Sequence, residues 1–472
     1  MDQATGRPAG ALTRASNSIR PRVVIVGGGF AGVATAKRLR HANVDVVLID
    51  KRNHQIFQPL LYQVATAVLA PSDIAAPLRQ LTETQPNLAV QMAEVIGIDV
   101  ESRTIRAQLP DAATFDVPFD FLVLAPGATP TYFGHDGFAA NAPGLKTLGD
   151  AELIRSKILK AYELAEVAAD SAERLRLTTF VVVGGGPTGV ELAATIAQMA
   201  RVTLRRDFRR IDTRQTRIVL LEGGKRILPS FNEDLADAAR RKLNRLGVTV
   251  RTGAVAEAID DHGVTVGGQM LPTATVIWAA GVAASRLSGQ VGAQTDRAGR
   301  ALVGPNLETA AASGVFVIGD AATVLEIGKA VPGVAQGALQ QGDYVGKVIA
   351  ARIAEASEPA PFHYHDKGSM AVVGKDFALL EAPGVRMRGR LAWLVWAFLH
   401  IGFLPQLQNR LRVGVQWLWS YYTGQRGSRL ITEGPSILRR PARLAEGPAP
   451  GSTTVGPGTR VELAAQATGQ AP

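Results

Sequence analysis

The sequence predicts an α/β protein with two Rossmann-like domains followed by a C-terminal segment of amphipathic helices. Three observations predict it. A buried-looking strand, Val23 to Val26, runs into Gly27-Gly28-Gly29-Phe30-Ala31-Gly32 and then into an apolar-periodic helix, Val33 to Leu39. The pattern returns at Phe180 to Val183 and Gly184-Gly185-Gly186-Pro187-Thr188-Gly189, matching residues 23 to 36 almost position for position. Finally, Leu391 to Leu404 is an apolar run stopped by Pro405, and beyond it Leu407, Leu411, Val415, Leu418 and Tyr422 fall on one helical stripe.

Composition narrows the classes. At 472 residues the chain is too long for one core, and 46% apolar with 19% charged residues is ordinary for a globular protein. The absence of cysteine excludes disulfides, thiolate metal sites, cysteine nucleophiles and redox dithiols. No window reaches the roughly 18 unbroken apolar residues of a spanning helix, and residues 1–20 read as a disordered extension without a signal-like apolar region. The net charge of +10 is local: Pro383 to Arg443 carries ten arginines against one acid, Glu433.

Each element follows from its residues. In the first glycine loop Gly27 allows the tight turn, Gly29 lets a pyrophosphate approach the backbone and Gly32 lets helix pack on strand. A second strand, Val44 to Ile49, ends in Asp50, where a ribose-binding carboxylate is expected. This fingerprint serves NAD and FAD alike. Lys51 to Thr66 is polar and then apolar, with Pro59 stopping regular structure. Strands follow at Val90 to Asp99, Thr104 to Gln108 and Phe119 to Leu124, the last ending in Ala125-Pro126-Gly127-Ala128-Thr129-Pro130. In the repeat, the strand Arg217 to Leu221 ends at Glu222, delayed by an arginine-rich insertion, Arg201 to Arg217. With no aromatic interleaved beyond Phe208, that insertion reads as a solvated basic face and not as a nucleic-acid patch. Strand-then-glycine signatures recur at Thr275 to Ile277 before Trp278-Ala279-Ala280-Gly281, and at Val315 to Ile318 before Gly319-Asp320. Val334 to Ile353 reads as a helix with Gln336 and Gln340 on one face. Short strands are expected within 361–382, and His363, His365 and Asp366 read as a strand face, so no metal site is expected.

In the C-terminal segment Trp393, Trp396, Trp417, Trp419, Tyr421 and Tyr422 sit among Arg386, Arg388, Arg390, Arg410, Arg412, Arg426 and Arg429. That mix is expected of helices lying in a membrane interface, with a dimer interface as the competing use. The tail 433–472 is rich in Gly, Pro and Ala and reads as disordered.

Two dinucleotide cradles on one chain imply electron transfer between two dinucleotides, and without a dithiol the electrons leave to a diffusible acceptor. Over residues 21 to 432 the chain resembles the type II NADH:quinone oxidoreductases. Carrying the resemblance are Gly27 to Gly32, Phe57-Gln58-Pro59-Leu60-Leu61-Tyr62-Gln63-Val64-Ala65, Ala125 to Thr129, Gly184 to Glu191, Trp278 to Gly281, Gly319-Asp320 and Ala335-Gln336-Gly337-Ala338-Leu339-Gln340.

The resemblance implies a respiratory flavoprotein whose NADH domain (150–282) is inserted in an FAD domain (21–149 and 283–360), with 361–432 attaching to the membrane or pairing two copies as a homodimer. It implies FAD at Gly27, Gly28, Gly29, Phe30, Ala31, Gly32, Asp50, Lys51, Arg52, Gln58, Ala125, Gly127, Ala128, Thr129, Gly319, Asp320, Ala335 and Gln336. NADH falls at Gly184, Gly186, Pro187, Thr188, Gly189, Glu191, Glu222, Ala280 and Gly281. Glu222 would repel a 2′-phosphate, a preference tempered by Lys225 and Arg226. Glu191, read as lying in the first turn of its helix, is placed beside nicotinamide and flavin, and Gln336 and Gln340 beside a membrane quinone as catalytic residues. In a bacterium the enzyme would sit on the cytoplasmic face of the inner membrane, where NADH is. The alternatives are an NADH-binding flavoprotein sensor of the apoptosis-inducing-factor type and a soluble NAD(P)H-dependent electron-carrier reductase.

Overall fold

The computed structural model describes residues 20–326 and 328–432. The expected extension up to residue 19 and the tail 433–472 lie outside the described residues. Five parallel strands form the first sheet in the order Val315–Val317, Phe121–Leu124, Arg22–Val26, Asp45–Asp50, Leu88–Met92. Arg22–Val26 is buried throughout, because a central parallel strand is covered on both faces; hence its unbroken apolar run. The second sheet is parallel as well, ordered Val248–Thr252, Arg217–Glu222, Thr179–Val183, Thr275–Trp278. Since residues 315–317 complete the first sheet, the second is inserted within it. The chain crosses out through Ala128–Pro130 and back through Val282–Ala284, and these two segments pair antiparallel.

Two boundaries differ from the sequence expectation by more than two residues. The expected strand from Val90 to Asp99 is two strands, Leu88–Met92 at the edge of the first sheet and Glu94–Asp99 in an antiparallel sheet with Thr104–Gln108 and Thr114–Pro118. The division falls at Ala93, whose N–H donates to the Asp50 carbonyl (3.0 Å) as the chain turns away. The first cradle helix runs Phe30–Arg38, beginning directly after Gly29, three residues before the apolar periodicity starts.

Helix Ala335–Ile353 lies against helix Phe30–Arg38. The approach requires glycine: a Cβ at Gly342 would stand 2.2 Å from the Ala31 carbonyl oxygen, and one at Gly346 would stand 2.6 Å from Arg38 Cβ. The Thr35 hydroxyl donates across this contact to the Gly342 carbonyl (3.1 Å).

Two helices close the described chain, Arg390–Phe403 and Leu407–Thr423. They hold the core through Ala392, Trp396, Asn409 and Val413, and Trp396 stacks on Trp417 at 5.0 Å. The stripe Leu407, Leu411, Val415, Leu418 and Tyr422 faces outward, as do Leu391, Leu394 and Phe398; Phe398 is 79% and Leu411 63% exposed. The usual arrangement of an amphipathic helix on a globular core is therefore inverted. No helix among the described residues is long and apolar enough to cross a membrane.

Candidate active site

The two glycine loops are built alike. Gly27 has φ +107° and Gly184 φ +112°, backbone that L side chains rarely adopt. A Cβ at Gly32 would fall 1.9 Å from the Gly27 carbonyl oxygen, and one at Gly189 would fall 1.8 Å from that of Gly184. By contrast, a Cβ at Gly29 or Gly186 would meet nothing within 4 Å, so the backbone there is open to a ligand. Helices Phe30–Arg38 and Pro187–Gln198 begin at these open glycines with no side-chain cap and no acid in the first turn. Their leading N–H groups are left for an anion. Pro187 at the first helical position costs the second helix nothing, since that N–H has no intrahelical partner anyway.

The carboxylates at the strand ends are duplicated too. Asp50 accepts from the N–H of Gly28 (2.7 Å) and of Arg52 (2.8 Å). Glu222 accepts from Gly185 (2.6 Å) and Gly224 (2.6 Å). Each keeps lone pairs for further donors. Arg226, expected to soften the exclusion of a 2′-phosphate, turns into its own loop and donates to the carbonyls of Phe231 (2.7 Å) and Pro229 (2.9 Å). Lys51 pairs with Glu94 at the surface (3.6 Å).

Beyond the first cradle, Ala128, Gly319, Asp320 and Gln341 line one cavity of about 100 Å³ with Val334 at its rim. Val334 is the uncapped start of helix Ala335–Ile353, again without an acid in the first turn. Asp320 faces Lys146 (3.4 Å), and Gln58 reaches the Lys146 carbonyl (3.5 Å). Gly127, with φ +74°, turns the chain toward Ala128 and Thr129 in the crossing strand. On the second cradle's side, Ala279 underlies Gly184, and Gly281 lies under the Phe133 ring, which a Cβ there would approach to 2.6 Å.

Glu191, Gln336 and Gln340 converge on one segment, residues 365–372. Gln340 donates to the His365 carbonyl (2.9 Å) and accepts from its N–H (2.9 Å). Gln336 donates to the Gly368 carbonyl (2.9 Å) and accepts from the Lys367 N–H (3.1 Å). Glu191 accepts from Val372 N–H (3.3 Å). Both glutamine amides are thus spent on backbone, as ladder-like clamps. Glu191 is the fifth residue of its helix, which corrects its expected place in the first turn. Its protonation is governed by desolvation, which pushes its carboxyl up to about 8 against the N–H of Val372.

Beside Glu191 and elsewhere in the fold lie groups that the sequence did not single out as site residues. Tyr62 is buried, its hydroxyl raised well above its ordinary range by burial and then by Glu191. It accepts from Gln63 (3.2 Å), whose amide oxygen takes the Trp417 indole N–H (2.8 Å). His400 stacks on Trp396 (4.5 Å) and meets the Phe57 ring edge-on (6.0 Å), and burial lowers its pKa to about 4. Gln341 accepts the Gly319 N–H (2.6 Å). The signals available were a polar residue inside an apolar motif at Gln63 and the Gly342/Gly346 spacing.

The basic and aromatic C-terminal residues divide. Arg426 is 7% exposed and donates to the carbonyls of Thr66 (2.8 Å) and Thr195 (3.2 Å), and Arg429 pairs with Asp207. Trp396 is 3% exposed. Trp396 and Arg426 therefore belong to the core, which corrects their reading as interface residues, while Arg429 stays half-exposed in its ion pair. Trp419 and Arg386, Arg388, Arg390, Arg410 and Arg412 remain exposed.

The family model for pyridine nucleotide-disulphide oxidoreductases matches residues 21–342. Among curated proteins, the chain is 40% identical over 439 residues to the type II NADH:quinone oxidoreductase Ndh of Mycobacterium tuberculosis, covering 90% of this chain and 94% of that protein. It is 31% identical to the demethylphylloquinone reductase NdbB of a Synechocystis species, covering 84% and 96%. Among solved structures, NDH2 from Plasmodium falciparum in complex with NADH superposes with a TM-score of 0.79 at 20% identity, covering 88% of this chain and all of that one. Joined to the duplicated cradles and the lack of any cysteine, these likenesses mean that the chain belongs to the type II NADH:quinone oxidoreductases of the pyridine nucleotide-disulphide oxidoreductase family.

Proposed function

We propose that the protein is an FAD-dependent respiratory NADH:quinone oxidoreductase that passes two electrons to a quinone without pumping protons. The observation that carries this is the duplication: two uncapped helix N-termini above open glycines, each beside a strand-end carboxylate, in a chain without a dithiol. The first cradle fits FAD. Gly29 and the N–H groups after it would hold the pyrophosphate, Asp50 the ribose, and Asp320 with the start of helix Ala335–Ile353 the flavin end. The second fits NADH, with Gly186 to Gly189 on the pyrophosphate and Glu222 on the ribose. FAD, when bound, supplies two-electron acceptance from NADH and its delivery to the quinone.

The chain's own residues position, exclude water and hold a proton. Glu191, neutral below about pH 8, can hold a proton for a quinone being reduced. Gln336 and Gln340 act as positioning residues by clamping 365–368 beside the acceptor. The buried Phe57 and Trp396, with the half-buried Trp417, keep bulk water from this end.

The outward apolar stripe, flanked by Arg386, Arg388, Arg390, Arg410 and Arg412, supports attachment to an anionic bilayer surface, where quinones reside. In a bacterium this is the cytoplasmic face. The same stripe could be shared with a second copy of the chain in a homodimer. The test is spectroscopic. Purified protein is expected to be yellow, to bleach anaerobically with NADH, and to recolour at once with a short-chain quinone. Slow recolouring with quinone would favour an NADH-binding sensor instead.

A further inference from the structure

Along one face of the second sheet, from Thr179 and Arg217 at the strand starts toward Arg251, lies a cavity of about 400 Å³. Arg201, Arg214, Arg217 and Arg251 line it, with Thr216 and Thr249, and no carboxylate does. Arg217 opens the strand Arg217–Glu222, and on the neighbouring strand Thr249 is registered against Val219 and Arg251 against Leu221. Residues two apart along a strand share a face, so Arg217, Thr249 and Arg251 stand on the same side of the sheet. Arg201 comes from the turn after helix Pro187–Gln198 and donates to the carbonyls of Thr216 (3.5 Å) and Gly247 (3.3 Å).

The charges there are largely uncompensated. Arg214 pairs with Asp212 (2.8 Å), but among the described residues Arg201, Arg217 and Arg251 have no ion pair. Nη1 of Arg201 is buried without a hydrogen-bond partner. Four guanidinium groups around one cavity repel one another until an anion lies between them, and their planar forks match phosphate oxygens two at a time. The cavity is in the size range of small-ligand sites. It is separate from the second cradle, since neither the loop Gly184 to Gly189 nor Glu222 lines it.

We propose that this cavity binds a phosphate-bearing anion, distinct from both dinucleotide sites. Two sources share that chemistry: a soluble polyphosphate and the headgroup of an anionic phospholipid. The second arises because Thr203, beside the Arg201 turn, donates to the Gly424 carbonyl at the end of the outward-facing helix Leu407–Thr423 (3.0 Å).

The experiment uses the full-length FAD-loaded enzyme with saturating NAD⁺, so that neither cradle is free. Inorganic pyrophosphate is titrated calorimetrically at low salt, and in a second arm the protein is sedimented with phosphatidylglycerol or phosphatidylcholine vesicles. The double variant R217E/R251E changes two exposed residues outside the catalytic machinery. R217Q/R251Q replaces it if the reversal lowers the melting temperature. At least a tenfold loss of pyrophosphate affinity, with NADH oxidation unchanged and binding weakened by salt, supports the site and assigns it to soluble anions. Unchanged pyrophosphate binding with a tenfold loss of retention on phosphatidylglycerol alone supports the site and assigns it to the lipid. Equal behaviour of native and variant protein in both arms, or no binding of either probe to native protein, overturns it.

Discussion

Replacing Glu191 by Gln tests whether the half-buried acid beside Val372 is held neutral. Its folded pKa is about 8 against an ordinary 4.5. A raised carboxyl pKa means that the native state binds the proton more tightly than the unfolded chain, so the stability it brings is complete below pH 4.5. That stability is then lost as pH rises toward 8. Three and a half units at 1.36 kcal/mol each set an upper bound of about 5 kcal/mol, about 3 kcal/mol of it gone by pH 7. Because the residue keeps some solvent access, about 2 kcal/mol at pH 7 is the working figure. Gln retains the shape and an acceptor for the Val372 N–H but does not ionise. Melting temperatures of native protein and E191Q, measured from pH 5 to 9, should separate progressively up to pH 8, with E191Q the higher, and run parallel above it. Quinone reduction by native protein depends on the folded group alone and should fall with a midpoint near pH 8, above the range in which the melting temperatures separate. A constant difference in melting temperature across the whole range would refute the assignment of a raised pKa to this carboxyl.

Three further changes probe the rest. Gly342→Ala places a methyl 2.2 Å from the Ala31 carbonyl and should cost about 1–3 kcal/mol with loss of flavin on gel filtration; retained flavin absorbance and melting temperature would contradict the tight helix contact. Glu222→Gln removes a charge that would repel a 2′-phosphate by about 1 kcal/mol per unit charge at 4 Å, so the NADPH to NADH ratio of kcat/KM should rise about tenfold, and an unchanged ratio would contradict the placement. Phe398→Glu with Leu411→Glu alters only outward residues, so melting should shift by no more than about 0.5 kcal/mol while retention on anionic vesicles drops severalfold. Point changes are needed because removing everything from Arg390 onward would also strip Ala392, Trp396, Leu404 and Val413 from the core.

What could be read from the sequence tracks the range of the cause. Gly27, Gly32, Asp50 and their counterparts Gly184, Gly189 and Glu222 are legible because each answers to neighbours within one βαβ unit, where spacing carries the geometry. The outward stripe from Leu407 to Tyr422 is legible because helical periodicity finds a face, although it does not say which way the face points. Trp396 and Arg426 were misplaced for that reason: only the packing of Trp396 on Trp417, and of Arg426 on Thr66 and Thr195, separates core from rim. The clamps from Gln336 and Gln340 join residues 25 to 32 positions apart, and the contact from Glu191 reaches 181 positions along the chain. No local pattern encodes such pairings. Gln63 bonding Trp417 is the same case.

The segment 365–372 also sets a mechanical limit. Gly368 is fastened to the helix that packs on the first cradle, and Val372 to the helix that opens the second. Four residues of fully extended chain reach about 14 Å. The segment is therefore a short leash: any separation of those two helices beyond this reach would break one fastening. Glu191 is one of those fastenings, so a wide opening would detach the acid from its only backbone donor among the described residues and return it to water.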